Sequence, residues 1–323
     1  MPYGIDILRY QQAFGQRVVV GLSWDILLVF AFVAAFVFLV HFVVRDLLNP
    51  TGHTPRESEE STEEIERSLS AQGVEEIERF SATQRASHWI MAISIFLLML
   101  SGFLIMNHAV TVKTVLGVAW ITIHEVAAIV LIGYVLFHLG HVASKGTWSE
   151  MWFGRREMAD LWVRFENLVG ATEEYPKQFK YPSAQKLLHL AVTGAVLGLI
   201  LTGLVLLRRV ETPLWAAARE FSFLGVTFGL GGSSVSDMGL VPWSFVLHDF
   251  LAVGVLALVM GHVYFALRPQ EWPITRSMVT GRISARAYAE KYSPTSWAVS
   301  GTATTDGGEP AATDADAGDG DDR

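Results

Sequence analysis

The chain has 323 residues, 51% of them hydrophobic and only 17% charged, with a mean hydropathy of +0.35. That charge content lies well below the roughly 25% of an ordinary soluble domain and argues against a soluble two-domain protein. A net charge of −8 with 6 Lys against 18 Arg leaves no basic surface for nucleic acid, and the absence of cysteine excludes disulfides, Cys-ligated zinc, iron–sulfur clusters and covalently attached haem.

Five apolar segments follow in chain order, at residues 24–44, 89–106, 115–139, 187–207 and 243–267. Each is about 18–25 residues long, enough at about 1.5 Å per residue to cross a hydrocarbon core of about 30 Å. The first is too long for a signal-peptide core and has no small-residue cleavage motif before Arg45, so it reads as an anchor. Residues 46–80 form an acidic polar stretch whose middle has helical periodicity and reads as a solvated helix or linker. The end of the chain, residues 293–323, is acidic, and from Ser300 onward it lacks periodicity and reads as disordered. The expected organisation is an N-terminal segment with an extra helix (1–45), the linker (46–80), a membrane domain (81–292) and the tail (293–323).

Orientation follows from Lys and Arg in the connections. The first-to-second, third-to-fourth and post-fifth connections hold most of them, including Arg56, Arg85, Arg155, Arg156, Arg276 and Arg286. The second-to-third loop offers Lys113, and the fourth-to-fifth Arg208, Arg209 and Arg219. The richer side is expected to be cytoplasmic, which puts the N-terminus outside and the C-terminus inside the plasma membrane.

His124 and His138 lie 14 residues apart in the third segment, and His248 and His262 lie 14 apart in the fifth. Fourteen residues is about 21 Å of rise and nearly four turns, so both members of a pair share one helix face. A single histidine near a helix end is usually interfacial. Four at matched depths in two helices are costly in hydrocarbon and point to function. Two such helices facing each other present imidazole pairs at two depths, as bis-imidazole ligation of two b-type haems requires. His124 and His248 share the outer depth. For His262, at the inner depth, His138, His88 and His189 are all candidate partners, and spacing does not choose among them.

The runs RFSATQRASHW (79–89), KYPSAQK (180–186) and HDFLAVGVLALVMGHVYFALRPQEW (248–272) resemble the cytochrome b (gamma) subunit of membrane formate dehydrogenases, within the wider cytochrome b561 and nickel-hydrogenase cytochrome b superfamily. The resemblance implies an all-α membrane bundle with a four-helix dihaem core. It implies His88 with His262 as inner-haem ligands and His124 with His248 as outer ones, leaving His138 as the alternative inner ligand. It further implies an iron–sulfur subunit and a molybdenum or tungsten catalytic subunit as partners, and quinone (menaquinone or similar) as the electron partner within the membrane. Hydrogenase or thiosulfate reductase partners fit the same fold, and a haem-free anchor or transporter is the rival of another class.

This sequence departs from the family pattern in two places. The first apolar segment is additional to the family's four helices and is expected to pack on the outside of the core. Pro182 and Ala184 stand where the family has an asparagine and a glycine associated with quinone, so those roles do not carry over. Other residues weigh less. Gly133 and Gly254, near mid-helix, would let a haem approach or let helices pack; Arg85 and Arg268 are candidates for inner propionates. Glu125 and Asp249 directly follow the outer histidines and read as interfacial.

Overall fold

The computed structural model describes residues 8–13, 16–48, 61–106, 117–146, 150–207, 220–223, 226–229 and 237–299. The acidic tail from Ser300, and the orientation residues Lys113, Arg208, Arg209 and Arg219, lie outside them.

Strands β1 (Leu8–Ala13) and β2 (Gln16–Leu22) pair as an antiparallel hairpin and lead into α1 (Trp24–His41), which continues as a π-helical stretch, Phe42–Leu48. After α2 (Thr62–Ala71) and β3 (Glu76–Glu78) come the long helices α3 (Ala82–Met106) and α4 (Trp120–Lys145). Helix α5 (Arg155–Val169) precedes α6 (Ser183–Leu207). The short strands β4 (Glu220–Phe223) and β5 (Val226–Gly229) then pair before α7 (Asp237–Leu267). Helix α8 (Trp272–Thr280), β6 (Arg282–Ser284) and α9 (Ala285–Lys291) follow.

Among the described residues, five helical stretches are long and apolar enough to span a membrane: Leu28–Leu48, Ala82–Ile105, Trp120–Lys145, Ser183–Leu207 and Trp243–Leu267. They match the five expected segments, with ends moved for identifiable reasons. Helix α3 starts about two turns before the apolar run, because Ser81 and Gln84 cap it reciprocally, each side chain meeting the other's backbone N–H at 3.3 and 3.0 Å. Helix α4 starts late because Gly117 holds φ at +76°, outside helical space, and ends at Gly146, φ +67°.

The bundle is two antiparallel hairpins, α3–α4 and α6–α7, and the closest backbone packing lies within each hairpin. Between the hairpins a single apolar layer closes mid-depth: Ile95, Leu131, Val196 and Val255, one from each helix, all buried. Within the second hairpin, a Cβ on Gly198 would come within 2.6 Å of Leu251, so this glycine allows close α6–α7 packing.

Helix α1 packs outside this core, along α7. Phe38 stacks on Tyr264 with ring centres 5.0 Å apart, and His41 hydrogen-bonds the Tyr264 hydroxyl. Arg268 Nη2 meets Asp46 Oδ1 at 2.6 Å in an ion pair only 11% and 3% exposed. Arg45 and His41 also reach the C-terminal end of α5, at the carbonyls of Asn167 and Leu168.

Within the polar stretch before α3, Thr62–Ala71 is helical, as its periodicity leads one to expect, but this helix is not free in solvent. Ile65 and Leu69 of α2 bury into a small core with Ile77, Ile283 and Tyr288, so α2, the β3–β6 ladder, α8 and α9 form a cap at one end of the bundle. Arg79 lies inside this cap, donating to Ser277 Oγ at 3.0 Å and covering the ring of Phe80. Burial pushes the neighbouring Tyr292 hydroxyl up to about 12, so it stays neutral beside the guanidinium.

Candidate functional site

Helices α4 and α7 bring His124 and His248 together, with ring centres 6.4 Å apart. Each ring is fixed from within its own hairpin. Ser101 Oγ lies 2.9 Å from His124 Nδ1 and itself donates to the Leu97 carbonyl at 2.6 Å. Thr202 Oγ1 lies 2.8 Å from His248 Nδ1 and donates to the Gly198 carbonyl at 2.8 Å. With each hydroxyl proton engaged on a carbonyl, the hydroxyl oxygen accepts from Nδ1–H. That sets the tautomer and leaves Nε2 with a free lone pair. Gly102 and Gly203 lie against the rings: a Cβ at either position would stand 3.4 or 3.5 Å from the imidazole Cε1, in ordinary van der Waals contact.

At the other end of the bundle His88 of α3 faces His262 of α7, ring centres 6.2 Å apart. Two trans ligands with metal–nitrogen bonds of about 2.0–2.1 Å, plus roughly 1.1 Å from nitrogen to ring centre, stand roughly 6.3 Å apart. Both pairs therefore fit the two axial positions of one iron. Among the described residues no group of three or more His, Cys, Asp or Glu converges as a bare ion would require. Porphyrin-held iron needs only the two imidazoles, so the donor set fits haem.

The three inner-depth candidates for His262 are thus separated by geometry. His138 does not face His262; it faces His189 of α6, ring centres 5.5 Å apart, and Tyr134 stacks on it with ring centres 5.8 Å apart. Arg268 is committed to Asp46, whose carboxylate also accepts from Gln270 Nε2 at 3.3 Å, so the guanidinium suggested for a propionate is already paired. Arg85 donates to the Val279 carbonyl of the cap. Glu125 is buried, at 7% exposure, instead of interfacial. No atom lies within 4 Å of a Cβ built on Gly133 or Gly254, so there is open space beside both instead of the close packing seen at Gly198.

The supporting hydroxyls and glycines were absent from the sequence reading, although the sequence carries a signal for them. The run Arg79-Phe80…Gln84-Arg85…His88 recurs as Lys180-Tyr181…Gln185-Lys186…His189, 101 residues later. At the same offset Ser101-Gly102 recurs as Thr202-Gly203, and the core residue Ile95 as Val196. In the second helix of each hairpin His124, Leu131 and His138 recur as His248, Val255 and His262, offset by 124. The two hairpins are one motif used twice. The relation swaps His124 with His248, placing the outer pair on a pseudo-two-fold axis. It carries His88–His262 onto His189–His138.

A helical membrane bundle holding imidazole pairs at axial spacing is the architecture of a b-type membrane cytochrome. The chain matches the prokaryotic cytochrome b561 family over residues 79–281, more than half its length, and it belongs to that family. It is a multi-pass membrane protein of electron transfer, and b-type haem is the cofactor the family implies. The two ends of the match meet in the fold, where Arg79 N–H donates to the Gly281 carbonyl at 2.8 Å; α1 and α2 precede it. No curated protein matches the chain.

Proposed function

We propose that the chain is the cytochrome b subunit of a formate dehydrogenase-like complex. It would carry electrons between an external iron–sulfur and molybdenum or tungsten partner and the quinone pool. His124 and His248 would hold the outer haem and His88 and His262 the inner one. The Lys and Arg bias supports an external N-terminus and a cytoplasmic C-terminus.

The observation that carries this reading is the pair of ring separations, 6.4 and 6.2 Å, with His248 and His262 14 residues apart on one helix. Haem supplies reversible one-electron iron chemistry that no side chain of this chain provides. Ser101 and Thr202 hold the outer imidazoles in the ligating tautomer, and α7 fixes the axial separation of the sites at about 21 Å of helical rise. The apolar layer of Ile95, Leu131, Val196 and Val255 keeps water out between the two depths.

Pyridine haemochrome analysis of the purified protein tests the assignment. Two haems per chain are expected, with His248→Ala losing one, His88→Ala losing the other and His138→Ala losing neither. A wild-type protein with one haem or none, or loss in His138→Ala but not in His88→Ala, refutes it.

A further inference from the structure

The duplication leaves one pair without a role. Under the pseudo-two-fold, His138–His189 occupies the gap between α4 and α6 that corresponds to the α3–α7 gap of His88–His262. Depth agrees: His88 and His189 are each the seventh residue of their helices, α3 and α6. The spacing, however, has diverged. At 5.5 Å the rings are too close for two trans axial ligands, which need roughly 6.3 Å. They are also too far apart for a direct N–H···N bond, which would set the ring centres about 5 Å apart.

An oxygen accepting from both imidazoles suits this separation. Two N–H···O bonds of about 2.8 Å put each ring centre roughly 3.9 Å from that oxygen, which gives an angle near roughly 90° there, within the broad range a carbonyl oxygen accepts. Tyr134 against His138 adds an aromatic wall. One helical turn before His189, Lys186 is held by Glu157 at 2.8 Å, closing the cap side with an ion pair.

We propose that His138 and His189 bind a quinone carbonyl and pass protons to it, so that the duplicate of the inner haem site is the quinone-reducing site. This rests on the reading of the chain as a quinone-linked cytochrome. The quinone would take up two electrons, one at a time, which the haem held by His88 and His262 would supply; one proton would reach the bound carbonyl oxygen through the imidazoles, and the second would reach the opposite carbonyl from water. Its two C=O groups become C–OH, giving quinol, and the imidazoles are reprotonated from water on the cap side.

The test uses the purified, haem-loaded full-length protein and a short-chain naphthoquinol as probe. Electrons are run in reverse, and haem reduction is followed in the visible spectrum. His138→Leu and His189→Leu are expected to keep wild-type haem content and the wild-type dithionite-reduced spectrum. Their quinol-driven haem reduction should slow by roughly 100-fold or more, the scale of a lost general acid–base group. His138→Gln, which can still hydrogen-bond an oxygen but cannot relay a proton, should keep the half-saturating quinol concentration and lose rate. Wild-type reduction rates in either leucine variant overturn the proposal while leaving the haem assignment intact. Loss of a haem in either variant also overturns it, because the pair would then hold iron.

Discussion

Thr202→Val removes one oxygen from the outer site and leaves its shape. The hydroxyl is buried, accepts from His248 Nδ1 at 2.8 Å and donates to the Gly198 carbonyl at 2.8 Å. The valine methyl fills the same space, but the imidazole N–H loses its hydroxyl acceptor and keeps only the Leu199 carbonyl beside it, at a cost of up to about 1–3 kcal/mol. Loss of such an outer-sphere partner typically lowers metal affinity by about 10–100-fold, or roughly 1.4–2.7 kcal/mol, so the two routes agree. The assay is haem release to an excess of apo-globin trap, with the two haems resolved by their alpha bands. The outer haem should be retained 10–100-fold less tightly, on the order of that outer-sphere loss, and the inner haem should be unchanged. Thr202→Ser, which restores the arrangement found at Ser101, should recover wild-type behaviour. Wild-type retention in both Thr202→Val and Ser101→Ala would show that the hydroxyls do not support the ligands. So would equal weakening of both haems.

Two further predictions concern the periphery. Asp46→Ala leaves Arg268 buried without its partner, a loss on the scale of about 3–5 kcal/mol for a buried pair; thermal unfolding of the purified protein should start at lower temperature with haem content intact, and an unchanged transition would show that α1 is not latched. On α5, Met158, Trp162, Phe165 and Val169 form an exposed stripe at helical spacing, while both ends of the helix touch residues of the spanning helices, Lys186 of α6 and His41 at the end of α1. Such a helix suits the plane of the membrane interface. Because the chain has no cysteine, a spin label on Trp162→Cys is unique, and in lipid nanodiscs it should relax faster with oxygen than with a water-soluble nickel chelate; the reverse order places the stripe in water.

What the sequence conveys well here is whatever length and hydrophobicity determine. Five segments of 18 or more apolar residues have few alternatives in a folded chain, and all five are membrane-length helices. Helix ends were less legible because polar first turns look like loop. The Ser81–Gln84 cap lies entirely outside the apolar run that marks α3. The cap domain was hidden for a different reason: Ile65 and Leu69 are isolated apolar residues in an acidic stretch. Only their long-range partners Ile283 and Tyr288, more than 200 residues away, make them a core. Among the histidines, spacing gave the depth of each but not the azimuth that one helix presents to another. Three residues were therefore equivalent partners for His262 until the helix packing paired His88 with it and His138 with His189.

The duplicated hairpin explains why a chain with this many membrane histidines need not use them alike. A pseudo-two-fold places one site on its axis and every other site in pairs. The outer pair lies on the axis, and its two imidazoles have matching supports: a hydroxyl on Nδ1 and a glycine against Cε1 on each side. The inner pairs lie off the axis and are free to diverge. Their cap-side surroundings differ in kind: Arg85 reaches a backbone carbonyl of the cap, whereas its counterpart Lys186 is tied to Glu157 of α5. Burial pushes the Glu157 carboxyl up, but the bonds from Lys186 and the Gly154 N–H outweigh it and hold the carboxyl below its usual range, so this ion pair persists at neutral pH. The ring separations differ as well, 6.2 Å on the Arg85 side and 5.5 Å on the Lys186 side. A symmetric bundle would offer electrons two equivalent inner termini. On the proposed reading this divergence leaves one inner pair as an electron terminus and makes the other the proton-donating site beside it, which a quinone reductase needs because it must deliver both to the same molecule.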